Sequence, residues 1–254
     1  MVITKTYTEP PICKKEILRY AGCKKSGQET LQLSAENAVT CGTDQITALL
    51  EESLEEILPR LSYKVCYIEL SLVIEDDVCD FGCMRIQSKD LVKNLQGCET
   101  VVLFAATIGV EMDRLIARYG HISPAKAVML QAIGAERIEA LCDALCESIQ
   151  QGAGGEKEKD KNKVSLRPRF SPGYGDLPIE VQREIFQVLG CGKNIGLSLN
   201  DSMLMSPSKS VTAFVGLAQA QSDNSVDECR AANVHEENLH NCAICKKTDC
   251  VYRI

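Results

Sequence analysis

No tryptophan occurs in the chain, and aromatic residues make up only 5% of it. That is too few to build a stacking platform for single-stranded nucleic acid. Positive charge is short as well: the formal net charge is −7, whereas phosphate binding calls for a basic face. A nucleic-acid partner is therefore not expected. Long hydrophobic runs are missing too. The longest, Thr100–Val110, is too short to span a bilayer. The first residues, MVITKTYTEPPICKKE, lack the apolar centre of a signal peptide, so the expectation is a cytoplasmic protein with no membrane partner. No Gly-x-Gly-x-x-Gly pattern follows an expected strand, and Thr107-Ile108-Gly109 alone does not support a dinucleotide fold.

Apolar residues, in contrast, are plentiful. At 45% hydrophobic over 254 residues, the chain can bury a real core, as one large domain or two modest ones. Cysteine is also abundant, with fourteen copies. Most are scattered on otherwise apolar faces (13, 23, 41, 66, 79, 83, 98, 142, 146, 191 and 229). In a reducing compartment such cysteines act as small buried hydrophobes. Cys79 and Cys83 have no second pair nearby and are read as core or chance, not as metal ligands.

The periodicity alternates strands and helices. A strand is expected over 2–8, and a helix from Pro10-Pro11 to Gly22. Thr43 or Asp44 caps a second helix that ends at Pro59, with Glu51, Glu52, Glu55 and Glu56 as its solvated face. Tyr63–Ile74 and Asp80–Ile86 read as strands, Ser88 as the cap of a short helix, and Val101–Thr107 as a buried strand leading to the helix Val110–Tyr119. The longest helix runs from Ala125 to about Gln150 with Val128, Ile133, Ile138, Leu141, Leu145 and Ile149 inward. Gly152–Lys163 is a charged, flexible insertion. Beyond it come an extended Val164–Phe170, a helix from Leu177 to Gly190, and strands at Ile195–Leu199 and Ser210–Leu217.

The stretch Arg167–Val215 is the hardest to explain as packing alone. Arg169, Pro172, Gly173 and Tyr174 fall in one turn, and Ser206-Pro207-Ser208-Lys209-Ser210, expected as a loop near the site, precedes an apolar run. Arginine offers a planar fork for a carboxylate, and glycine lets backbone approach a ligand closely. The combination suits a small zwitterion. Arg169, Pro172-Gly173-Tyr174 and Asp201-Ser202-Met203-Leu204-Met205-Ser206-Pro207-Ser208-Lys209-Ser210-Val211 together resemble the activation domain of cobalamin-dependent methionine synthase. That family carries an Arg, a Pro-Gly-Tyr turn, an acidic helix and then Ser-x-x-Met-x-Pro-x-x-Ser-Val. The family often has Cys-Pro after the Tyr, where this chain has Gly175-Asp176-Leu177-Pro178.

The resemblance implies an α+β fold: a single domain with a curved, mainly antiparallel sheet flanked by helices, plus a Cys-rich C-terminal tail. The expected division is 1–218 for the domain and 219–254 for a polar linker and the tail. It also implies S-adenosylmethionine as ligand, with Arg169 on its carboxylate, the Ser171 backbone and Gly173 against the adenosine, and Tyr174 over it. A helical acid helps hold that ligand in the family. Glu136, Glu139 and Asp143 are the candidates here, and Glu139 is carried forward. The chain lacks the family's cobalamin-holding Asp-x-His-x-x-Gly. The expected role is therefore a subunit that supports reactivation of cob(II)alamin on a cobalamin-carrying methionine synthase partner, with an electron-donor protein. Two other classes stay open: an S-adenosylmethionine sensor without methyl transfer, and a metal or redox protein built on the C-terminal cysteines. In that tail Cys242, Cys245 and Cys250 lie within nine residues beside His240. The segment is too polar to bury them, and the spacing suits zinc, an iron–sulfur cluster or a free redox-active group. His235, His240, Cys229 or a partner's residue could be the fourth ligand.

Overall fold

The computed structural model describes residues 1–23, 41–153 and 164–219. From the N-terminus run β1 (Ile3–Thr6), α1 (Lys14–Tyr20) and α2 (Cys41–Ile57). Next come β2 (Lys64–Ser71), β3 (Val73–Glu75), β4 (Val78–Asp80), β5 (Arg85–Gln87) and α3 (Lys89–Leu95). Then follow β6 (Thr100–Thr107), α4 (Glu111–Ile122) and α5 (Pro124–Ala153). The last described stretch holds β7 (Val164–Leu166), α6 (Val181–Leu189), α7 (Cys191–Ile195), β8 (Ser198–Leu199), β9 (Met205–Ser206) and β10 (Ser210–Gln219). All of these lie in the compact unit Met1–Ala220.

The main sheet has the order β1-β2-β6-β10-β7, and every neighbouring pair is antiparallel. This is the α+β class that the resemblance implied. β6 sits at the centre and is buried along nearly its whole length. Its register sets Phe104 between Tyr67 of β2 and Ala213 of β10. The run VVLFAA, up to Thr107, is apolar throughout because helices cover both faces of the strand, so alternation with polar residues is lost. Side chains still alternate between two cores. Val102, Phe104, Ala106, Ala213 and Val215 pack with α1, α2, α4 and α5. Val101, Leu103, Ala105, Phe214 and Cys66 pack with α3, α6 and α7.

Several boundaries differ from the sequence reading. The run Tyr63–Ile74 is two strands, not one: at Leu72 the chain leaves the main sheet, and Val73–Glu75 joins a separate three-stranded sheet with β4 and β5. Asp80–Ile86 also breaks, at a turn closed by the Phe81 amide donating to the Met84 carbonyl, with Gly82 at φ +76°. Thr43 and Asp44 lie inside α2 instead of capping it. Ile195–Leu199 begins as the end of α7, because Gly190 and Gly196 both take left-handed conformations that close one helix and then the next. Val128 faces solvent, and Met129 and Leu130 take the core positions on α5.

The acidic face of α2 is not simply solvated. Lys126 of α5 is buried and bonds Glu52 at 2.7 Å and Glu56 at 2.8 Å, while the Tyr119 hydroxyl donates to Glu56. Cys79 is core, as read, and burial pushes its thiol up to about 11. Cys83, however, is exposed. Ser88 caps α3 as expected, its hydroxyl accepting from the Leu91 amide at 3.0 Å. The charged insertion lies outside the described residues beyond Ala153, as does the tail.

Candidate functional site

Two elements build the site. One is α5, thirty residues long, which makes it a rod of about 45 Å. The other is the chain that leaves β7 and runs on as an extended edge of the sheet. Phe170 and Phe214 exchange backbone hydrogen bonds at 2.9 Å in both directions. Phe170 belongs to the core under α3 and α6. Alternation then turns its neighbour Arg169 to the other side of the sheet, toward α5.

There the guanidinium meets two carboxylates one helical turn apart. Arg169 Nη2 donates to Glu139 Oε2 at 2.7 Å, and Nη1 donates to Asp143 Oδ1 at 2.5 Å. The Arg169 side chain is 23% exposed, against 45% for Glu139 and 32% for Asp143. Burial opposes the charge on Arg169, but Cys142, Asp143 and Glu139 together outweigh it and hold the guanidinium's proton affinity above its ordinary value. Cys142 and Cys146 share this face of the helix, and burial pushes both thiols up.

The turn after Arg169 is shaped by glycine. Gly173 has φ +94°, its amide donates to the Leu177 carbonyl at 2.9 Å, and the Tyr174 amide donates to the Ser171 carbonyl at 3.1 Å. Tyr174 is 65% exposed, so its ring is available to a ligand instead of being spent on the core. Its nearest ring is Phe170, with centroids 6.3 Å apart.

The turn is fastened to α3. Asp176 accepts from the Ser88 hydroxyl, from the Lys89 amide at 2.8 Å and from the Asp90 amide at 3.2 Å. Asp90 returns the contact by accepting from the Asp176 amide at 3.1 Å. Gly175 has φ +54°, and a Cβ there would come within 2.2 Å of Asp90 Oδ2. Ser88 first, then the two amides, hold the Asp176 carboxyl below its ordinary value. This staple occupies the place where the family often has Cys-Pro. The sequence offered no signal for it beyond the Asp itself.

The structure thus brings Arg169, Glu139 and Asp143 together beside the Ser171–Tyr174 turn. Glu136 is elsewhere. It is buried, bonded to Arg137, and accepts from the Cys13 amide at 2.9 Å. The Ser206–Ser210 segment, expected near the site, lies at the other end of β10. Its Ser210 hydroxyl bonds Thr107 and Pro207 at 2.8 Å, and the Ser208 amide donates to Asp113 at 2.8 Å. Four residues of strand, roughly 14 Å, separate Ser210 from Phe214, the partner of Phe170. Among the described residues no group of three or more His, Cys, Asp or Glu could hold a metal ion. Cys242, Cys245 and Cys250 lie outside those residues. No helix among the described residues is long and apolar enough to cross a membrane.

No curated protein sequence matches the chain. A solved structure, described as the MetH reactivation domain bound to AdoHcy, matches with a TM-score of 0.59 over 90% of this chain and 82% of that one. At 14% identity this likeness speaks for the fold. The family model for the activation domain of vitamin B12-dependent methionine synthase matches residues 83–241. That span holds α5, the Arg169 turn, its staple to α3 and the Ser206–Ser210 segment. It ends just before Cys242. More than half of the chain, including every part of the candidate site, falls within it, and the chain belongs to the vitamin B12-dependent methionine synthase activation-domain family.

Proposed function

We propose that this chain binds S-adenosylmethionine at Arg169, Glu139 and the Ser171–Tyr174 turn, and supports reductive reactivation of cobalamin carried by a methionine synthase partner. The observation that carries the reading is the pairing of Arg169 with Glu139 beside an open glycine turn. A guanidinium and a carboxylate held side by side match the carboxylate and ammonium of an amino-acid ligand. The related domain of known structure holds AdoHcy, which has the same amino-acid and adenosine ends. The Ser171 and Gly173 backbone would take the adenosine, and the exposed Tyr174 ring would lie over it.

Cobalamin, held by the partner, would supply a reduced cobalt as methyl acceptor, with the electron from a donor protein and S-adenosylhomocysteine left as the product. This chain's residues bind and orient the sulfonium donor. The domain is taken as 1–218, and the tail at 219–254 as a separate functional piece in which Cys242, Cys245 and Cys250 bind zinc or an iron–sulfur cluster. Only a cluster could also carry an electron.

Titration calorimetry with S-adenosylmethionine tests the site. A second assay follows methyl transfer to a reduced corrinoid protein. Saturable binding that Arg169→Ala weakens about ten- to a hundredfold, together with transfer, supports the full reading. Binding without transfer would reduce the protein to a sensor. No binding would remove the site assignment.

A further inference from the structure

Arg169 is already occupied. Its two Nη groups each hold a carboxylate, so the edge that a ligand carboxylate would grip with two parallel bonds is spanned by Glu139 and Asp143. The Cys146 thiol also lies against the same guanidinium. A ligand can grip this Nη1–Nη2 edge with two prongs only if one acid lets go.

The two acids are not equivalent. Glu139 has the longer side chain and is the more exposed of the two. It can swing from the guanidinium to a ligand ammonium and stay in the site. Asp143 sits one turn further along α5 on a short stem, and so cannot follow. The trio also carries one negative charge more than positive. A zwitterion that pairs with Arg169 and Glu139 leaves Asp143 without a partner.

We propose that Asp143 is an internal stand-in for the ligand carboxylate, holding Arg169 in place while the site is empty and being displaced when the amino acid binds. It thereby sets the affinity of the site and favours ligands whose carboxylate can compete. This rests on the reading of the site as one for S-adenosylmethionine. Its consequence runs opposite to that of an ordinary contact residue: removing the Asp143 charge tightens binding. Only molecules in which the Nη1–Nη2 edge of Arg169 is free can accept the ligand there two-pronged, and the apparent affinity is set by that fraction.

Calorimetry with S-adenosylmethionine and S-adenosylhomocysteine on the full chain provides the test. Asp143→Asn should tighten both ligands by about three- to tenfold, since both present the same carboxylate. Asp143→Glu should restore wild-type affinity or weaken it. Glu139→Gln should weaken both ligands. Thermal melts establish that each variant is folded, and Asp143→Ala serves if the Asn variant is not. Unchanged or weaker binding by the folded Asp143→Asn variant, or by Asp143→Ala where that one is used, overturns the proposal. So does a loss confined to S-adenosylmethionine, which would put Asp143 at the sulfonium. If the wild-type protein binds neither ligand, the site reading itself fails and this inference falls with it. If the wild type binds and only the Asp143 variants behave otherwise than stated, the site reading survives.

Discussion

An arginine within α5 and one that docks on it are built for opposite purposes. Arg137 is fully buried. It donates to Glu136, to the Pro10 carbonyl at 2.7 Å and to the Pro11 carbonyl at 2.6 Å. Prolines have no amide hydrogen to offer, but their carbonyls are free to accept. With Glu136 taking the Cys13 amide, this one charge pair sews the segment before α1 onto α5. Arg169 is held only by side chains, both partly exposed, at the edge of an open turn. Backbone acceptors cannot move away, whereas side-chain acceptors can. The first arginine is a fixed seam, and the second is an exchangeable one.

The sharpest way to break this contrast is Arg137→Ala. It leaves Glu136 charged and buried without its partner, and should cost roughly 3–5 kcal/mol of stability. Denaturant unfolding measures it. A loss under about 1 kcal/mol would mean that the seam is dispensable. Arg169→Ala should do the reverse. Its ion pairs are partly solvated, so unfolding should shift by at most about 1 kcal/mol. S-Adenosylmethionine affinity should fall about ten- to a hundredfold, the weight of a charge-assisted two-pronged contact. Arg169→Lys should also weaken binding, because an ammonium cannot reproduce the fork.

Asp176→Asn probes the staple between the site turn and α3, and should cost about 1 kcal/mol at neutral pH, as loss of a helix cap does. The pH dependence has a definite sign. The folded carboxyl lies below its ordinary value of 3.8, so its contribution is complete above that value and is lost as pH falls through the folded one. The gap in melting temperature between wild type and Asp176→Asn should therefore close on acidification below pH 3.8. A gap that widens in acid would contradict the assigned hydrogen bonds. The smallest effect on the site is expected from changing Cys242, Cys245 and Cys250 together to Ser. Ligand affinity should stay unchanged. Iron, sulfide and zinc analysis of anaerobically purified protein should show loss of bound metal, and wild-type protein free of metal would end the tail proposal.

How much of this was legible in the sequence follows from which interactions are local. β6 could be read because an unbroken run of small or apolar residues has no other use. Ser88 could be read because a cap acts on amides three residues away. Arg169 with its glycine turn stood out because those residue types are poor choices for packing. The Arg137 seam could not be read: its acceptors lie 127 and 126 positions away and are backbone atoms, which leave no mark on residue type. The same holds for the staple, where Asp176 reaches 88 positions back to Ser88. The strand break at Leu72 was hidden because both halves of Tyr63–Ile74 have strand composition, and only the choice of sheet differs. Which helical acid faces Arg169 depended on the rotation of α5, which its buried stripe of Leu130, Ile133, Leu141 and Leu145 sets together with the seam at Arg137.

Gly134 carries a consequence on the side of α5 that meets the Ser206–Ser210 segment. A Cβ at this position would stand 2.9 Å from Lys209 Cε and 3.0 Å from its Cγ. The lysine's aliphatic stem lies in the trough that the missing carbon leaves, and burial there lowers its proton affinity despite Asp113 nearby. One methyl group at Gly134 would press on that stem and force it to shift. The bare hydrogen of Gly134 therefore leaves room for a cation's stem carried by a segment 75 positions further along the chain.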